Sequence, residues 1–307
     1  MPYVKKIFKL EQEQRINLFL VENLNLPLNV VSRLIDKGKV RLDGEVLGVK
    51  GKRAKGTLEV IYRAPLPSGL KPIFSTQDFA IFDKPSGLLV HQNGFCQENT
   101  LLDDINYLYG PNANLVHRLD RQTSGLVMAS KRKSVEGKLK SLFRDRLVEK
   151  MYLALVKGNL KSKILIDKPI LSGEDRPIKE GVPRVISTVS SNGLKARTMV
   201  YPLKYFQDLS ASLVQCHLIT GRTHQIRVHL AAIGHRILGD PFYGVGLEVA
   251  NEYLDTKMSK ERLLELTGAT RLMLHSFSMR FFYGCDFFIR SSDDFLKKSF
   301  LGQFLRE

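Results

Sequence analysis

Apolar residues recur at helical spacing twice near the start of the chain. Ile16, Phe19 and Leu20 share one face of a helix predicted over residues 12–22. Val30, Val31, Leu34 and Ile35 do the same over residues 28–37, and Gly38 ends that helix as a C-cap. Two short apolar runs follow, residues 40–42 and 45–47, with Asp43-Gly44 between them. Asp-Gly there predicts a tight hairpin, because both turn residues must take positive φ. A third strand is expected over residues 57–62. Residues 63–72 hold three prolines and the Ser68-Gly69 break, and read as a linker.

Beyond the linker the texture changes. Short β-rich runs at 79–83, 88–91, 114–119, 126–130, 151–156 and 212–220 predict strands. Helices are expected at 134–147, with Val135, Leu139, Leu142 and Phe143 on one face, and at 223–235, with Ile226, Leu230 and Ile233 inward. Thr223 is the residue expected to cap the second of these. Residues 171–196 are polar and rich in Gly and Ser, and read as a long surface excursion. Strands and helices do not alternate, and no Gly-rich strand-to-helix turn occurs. The expected fold class is therefore α+β, with a mixed, largely antiparallel sheet. The expected division is a small αβ unit over residues 1–62, a linker over 63–72 and a large domain over 73–307.

Charge then narrows the partners. The 307 residues hold 47 Lys and Arg against 31 Asp and Glu, a net +16 spread along the chain. That excess favours a polyanion tracked by a folded surface, and RNA or DNA is the obvious one. No stretch reaches the ~18 uncharged apolar residues of a membrane span. The lysine-bearing N-terminus lacks the apolar core of a secretion signal. Cys96, Cys216 and Cys285 form no CxxC pair and no metal spacing. A cytoplasmic, monomeric protein without membrane contact is expected.

Three segments hold candidate chemistry. The first is Leu115-Val116-His117-Arg118-Leu119-Asp120-Arg121-Gln122-Thr123-Ser124-Gly125. Asp120 sits among cations and has no acidic neighbour. Nearby positive charge lowers a carboxylate pKa, which suits a nucleophile or base better than an acid. A surface aspartate capping a turn has the same local sequence. The second segment, residues 150–158, puts Tyr152 on one strand face with Ala154 and Val156, where it is either a stacking ring or a core-edge tyrosine. The third, Thr220-Gly221-Arg222-Thr223-His224-Gln225-Ile226-Arg227, starts a helix with cations at its N-terminus. Such a helix start holds an anion, either a phosphate or the Asp120 carboxylate. The chain has no zinc His-Glu-x-x-His pattern, no P-loop and no dinucleotide turn.

Together these segments resemble the RluA-type pseudouridine synthases. His117-Arg118-Leu119-Asp120 with Thr123-Ser124-Gly125, the 150–156 strand, and Arg222 to His229 are similar to that family's three main motifs. Asp83-Lys84-Pro85-Ser86-Gly87, Gly239-Asp240-Pro241-Phe242-Tyr243-Gly244 and Leu272-Met273-Leu274-His275 match in order. The first 62 residues resemble the alpha-L RNA-binding module of a small-subunit ribosomal protein, with Asn17 where an aspartate is usual. The resemblance implies a catalytic domain with a central RNA-binding cleft and no cofactor or metal. It assigns catalysis to Asp120, Tyr152 and Arg227: Asp120 attacks the uridine, Tyr152 stacks on the base and Arg227 pairs with Asp120. RNA binding falls to Arg118, His117, Arg222 and His224 around the site, and to Arg33, Lys37 and Arg41 on the small module. The implied substrate is large-subunit ribosomal RNA, with tRNA as the alternative.

Overall fold

The computed structural model describes residues 3–64, 67–92, 98–255, 258–292 and 295. Cys96 and two linker residues, Pro65 and Leu66, lie outside them. The N-terminal part runs β1 (Tyr3–Arg15), α1 (Ile16–Leu24), α2 (Leu28–Asp36), β2 (Val40–Leu42), β3 (Glu45–Val46) and β4 (Arg53–Arg63). Its strands form their own four-stranded sheet, in the order β1-β4-β2-β3. Ile16, Leu20, Val31 and Ile35 pack on Leu58 and Val60 to make a separate core. The hairpin is as expected, with Asp43 at φ 50° and Gly44 at φ 86°.

The start of the first helix is a correction. Residues 12–15 are strand, and the helix begins only at Ile16. β1 pairs antiparallel with β4, placing Tyr3 opposite Arg63. The paired residues lie 38 to 60 positions apart in sequence, so no local pattern announces the pairing.

The larger part begins with β5 (Pro72–Ser75), β6 (Phe79–Lys84), α3 (Leu101–Tyr109), β7 (Asn114–Leu115), β8 (Ser124–Ser130), α4 (Lys133–Arg144) and β9 (Glu149–Lys157). It continues with β10 (Ile164–Asp167), β11 (Ile170–Leu171), β12 (Thr188–Val189), β13 (Arg197–Phe206) and β14 (Ala211–Leu218). The last elements are α5 (Gln225–Ala232), α6 (Leu247–Asp255), α7 (Lys260–Thr267), β15 (Leu274–Tyr283) and β16 (Cys285–Arg290). Ten strands join in one sheet, ordered β10-β13-β14-β9-β15-β8-β6-β5, with β16 on β15 and β7 on β8. Its ladders are antiparallel, except where His275 and Ser276 of β15 run parallel to Ser124 and Gly125 of β8. Gly125 is required at that junction, because a Cβ there would sit 2.3 Å from the Ser276 carbonyl oxygen.

Alternation explains the layers. Ala80, Phe82, Val127 and Ala129 face one core, together with α3 and α5 residues. Phe79, Ile81, Leu126 and Met128 face the other, with Leu139 of α4. Of the expected strands, residues 88–91 contribute only an isolated bridge, Leu89 to Thr100, and in 114–119 only the first two residues pair. The linker expectation also changes at its far end. Asp104 of α3 accepts hydrogen bonds from the Ser68 hydroxyl and the Gly69 and Leu70 amides, at 2.8, 3.0 and 3.3 Å. Those residues are docked on the larger part. Among the described residues no helix is long and apolar enough to cross a membrane.

Candidate active site

The turn between β7 and β8 carries Asp120, and a second turn pins it from below. Ser86 donates to the Gln122 carbonyl at 2.6 Å, and the Gly87 amide to the Arg121 carbonyl at 2.8 Å. Lys84, fully buried, donates to the carbonyls of Pro85, Leu88 and Arg121 at 2.9, 2.9 and 3.0 Å. Burial pulls its pKa down to about 7, and Asp120 pulls it up. Three carbonyl acceptors match the three N–H groups of an ammonium, which a neutral amine lacks. Sequence reasoning gave Lys84 no role in the site; the signal was a lysine closing the apolar run of β6.

Arg227 lies one turn into α5 and is wholly buried. Its Nε and Nη2 donate to the two Asp240 oxygens, both at 2.8 Å. Phe242 and Tyr243 lie against the guanidinium, 5.3 and 5.1 Å from its carbon. The Asp240 carboxylate raises the Arg227 pKa against the opposing effect of burial. Nη1 has no hydrogen-bond partner and stands 3.7 Å from Asp120 Oδ2. The expected Asp120–Arg227 pair thus exists as a long ion contact, while the short bidentate pair goes to Asp240. The Asp120 side chain is 30 % exposed and the Asp240 side chain not at all. Only the first carboxylate can meet a substrate.

His224 approaches the same Asp120 oxygen through Nε2, also at 3.7 Å. It is a non-glycine residue in the left-handed region, φ 57°, just before the helix. Tyr243 holds its other nitrogen. The Tyr243 hydroxyl accepts from the Ser187 amide at 2.9 Å and lies 2.8 Å from His224 Nδ1. The Asp120 carboxylate facing Nε2 favours the tautomer with N–H there, in which Nδ1 accepts from the Tyr243 hydroxyl. Burial lowers the His224 pKa to about 4, so the ring is neutral. The side-chain cap expected of Thr223 is absent: α5 starts after His224 with no side-chain cap hydrogen bond, and the Gln225 side-chain oxygen accepts from the Arg222 amide at 3.0 Å and the Thr220 hydroxyl at 2.7 Å. Ser187 comes from the 171–196 segment, so that excursion reaches into the site.

Tyr152 lies on β9, paired with Cys216 on one side and Ser276 on the other. Its ring is buried at the cleft floor. Burial pushes its hydroxyl well above the ordinary phenol range, the Ser276 hydroxyl partly opposes this, and Asp120 adds to it. Arg118 is exposed and lines the cleft, and Arg222 is half-buried there with Nε donating to the Lys195 carbonyl at 3.2 Å. Arg121, Asp120's neighbour, pairs instead with Glu98 at 2.6 Å. The two histidines expected to contact RNA are both held neutral by burial. His117 stacks on Phe143 at 4.3 Å, its Nε2 accepts from the Met128 amide, and burial drops its pKa to about 3. His224 is spent on Tyr243 and Asp120. Arg33, Lys37 and Arg41 are exposed on the N-terminal part.

These groups open into a cleft of about 2100 Å³. That exceeds the ~300–1,000 Å³ of small-molecule pockets and suits a segment of polymer. Its rim carries Arg118, Arg144, Arg146, Lys150, Arg184 and Arg222. Among the described residues no group of three or more His, Cys, Asp or Glu is placed to hold a metal.

Comparison with known proteins identifies the family. Residues 78–232 match the family model for RNA pseudouridylate synthase. An uncharacterized RNA pseudouridine synthase of Helicobacter pylori strain J99 is 38% identical, over 95% of this chain and 96% of its own length. Ribosomal large subunit pseudouridine synthase C of Pasteurella multocida is 31% identical over 88% of this chain and 83% of its own. The tRNA pseudouridine(31) synthase of Saccharomyces cerevisiae is 35% identical over 57% of this chain and 46% of its own. Among solved structures, human RNA pseudouridylate synthase domain containing 1 superimposes with a TM-score of 0.56 at 26% identity, covering 75% of this chain and 86% of that one. The chain belongs to the RNA pseudouridylate synthase family.

Proposed function

We propose that this enzyme isomerises uridines in large-subunit ribosomal RNA, with Asp120 as the nucleophile. The observation that carries the assignment is the Asp120 carboxylate, open to the cleft and faced by Arg227 Nη1 and His224 Nε2, each at 3.7 Å. A held, reachable carboxylate is what nucleophilic catalysis needs. The uridine N-glycosidic bond breaks, the uracil turns in place, and C5 bonds to the ribose; the C5 proton is then lost and a proton returns to the freed ring nitrogen. Tyr152 forms the floor on which the base lies while it turns. The target must leave its stack to reach Asp120, at a cost of a few kcal/mol that cationic cleft walls help to offset.

Residues 1–62 act in this reading as an alpha-L RNA-binding module, joined through 63–72 to the catalytic domain 73–307, with Arg33, Lys37 and Arg41 as phosphate contacts. Ribosomal RNA is favoured over tRNA because large-subunit synthases C align along 88% and 75% of this chain, whereas the tRNA relative, like one large-subunit synthase D, aligns along 57%. Pseudouridine mapping of total RNA with and without the protein tests the substrate: sites lost from tRNA alone would overturn it. Asp120→Asn should release no tritium from C5-labelled uridine RNA while still binding it. Turnover by that variant would remove Asp120 from the mechanism.

A further inference from the structure

One wall of the cleft has no part in the aspartate chemistry. α6 brings Tyr253, Leu254 and Asp255 to it, with Met258 just beyond. Tyr253 is held from two sides. Gln122 Nε2, two residues after Asp120, donates to its hydroxyl at 3.1 Å. Phe242 meets its ring at a right angle, centroids 5.6 Å apart at 88°. Phe242 also stacks on His224 at 6.3 Å and carries the Arg227 guanidinium. A continuous aromatic row therefore leads from His224, beside Asp120, out to Tyr253. The Tyr253 ring is half-buried and lines the cleft.

A ring fixed through its hydroxyl and by an edge-to-face neighbour is pre-organised to offer a face. Extracting a base from a folded RNA leaves the adjacent base without a stacking partner. Aromatic side chains replace such stacking without regard to sequence, because every base has a π-face. The other aromatic pair at the cleft is taken up internally: His117 and Phe143 stack on each other, with Lys150 over Phe143 at 5.6 Å. We propose that Tyr253 is the stacking platform for a nucleotide next to the target uridine. The inference rests on the uridine-isomerising reading of the cleft.

The test uses RNA from cells lacking the protein, labelled with tritium at uridine C5, and the full-length enzyme. Wild-type release tests the parent reading on its own. Tyr253→Ala and Tyr253→Leu should each raise KM about tenfold, the loss expected for one base–aromatic stack, with kcat within about twofold. Tyr253→Phe keeps the ring and should hold KM within about threefold of wild type. Thermal melting of each variant shows that the protein remains folded. A Phe variant as impaired as Ala would overturn the proposal in favour of the hydroxyl contact to Gln122. A Leu variant that works as well as Phe would overturn it in favour of simple packing, and a fall in kcat with KM unchanged would overturn it as well.

Discussion

Asp240→Asn is the sharpest perturbation of this site. It keeps the size of the side chain and removes the charge opposite a wholly buried guanidinium. Asp240 takes two hydrogen bonds from Arg227 at 2.8 Å, and its Oδ1 also accepts from the Phe242 amide at 2.9 Å. An asparagine can offer one oxygen to these donors, and its NH2 group then points at an Arg227 N–H. Breaking one partner of a buried pair costs ~3–5 kcal/mol, and asparagine, retaining one acceptor, belongs at the lower end, ~3 kcal/mol. In a catalytic unit of this size each kcal/mol lowers Tm by ~2–4 °C, so a drop of ~6–12 °C is expected in calorimetry. The guanidinium keeps its charge, and the next carboxylate within reach is Asp120. Closing that 3.7 Å contact would occupy the nucleophile, so kcat on C5-tritiated RNA should fall ~tenfold or more, equivalent to at least ~1.4 kcal/mol. Arg227→Met with Asp240→Leu removes both charges; it should regain most of the stability and none of the activity. A Tm for Asp240→Asn within 2 °C of wild type would refute the reasoning.

His224 gives a pH prediction. Its pKa is about 4 in the native protein against 6.5 for an ordinary histidine. Between those values the unfolded chain binds a proton that the native state refuses. Stability therefore falls as pH drops from 6.5 to 4, by at most ~1.4 kcal/mol per pH unit from this group, and the contribution is intact above 6.5. His224→Gln should flatten the denaturation free energy measured across that window; an unchanged slope would count against the burial described here. On the N-terminal part, changing Arg33, Lys37 and Arg41 together to Gln should lower the slope of log affinity against log salt by ~2–3, since each lost phosphate contact removes ~0.7–0.9. An unaltered slope in filter binding would place the RNA elsewhere on that module.

The strands around the site were legible because their side chains alternate between two buried layers. The apolar runs at 126–130 and 151–156 locate β8 and β9 to within two residues. Elements that depend on distant pairing were not. β1 is held by β4, and its alternation is masked by lysines on both faces. α3 carried a signal that went unread: Thr100 and Asp103 form a reciprocal cap at its start. Asp120, Tyr152 and Arg227 stand out in the sequence as candidates, but their geometry does not. Sequence spacing cannot tell that Arg227 gives its two best donors to Asp240, nor that Arg121 turns away to Glu98.

The charge arrangement that results is selective. Besides the Tyr152 phenol, four of the described basic side chains stand about Asp120, and three of them are already committed. Arg227 is neutralised by Asp240, Lys84 is consumed by three carbonyls, and Arg121 by Glu98 and the Gly87 carbonyl. The fourth, His224, is uncharged. What remains toward the substrate is the Arg227 Nη1 group and the His224 Nε2, each 3.7 Å from the same carboxylate oxygen. A nucleophile clamped by short, fully charged pairs would have to break them to attack. Two donors held at 3.7 Å aim Asp120 without occupying it, and Asp240 keeps them at that distance by holding the guanidinium back. The second carboxylate, which lies in a matching motif but carries no role that sequence spacing reveals, is on this argument what leaves the first one free to react.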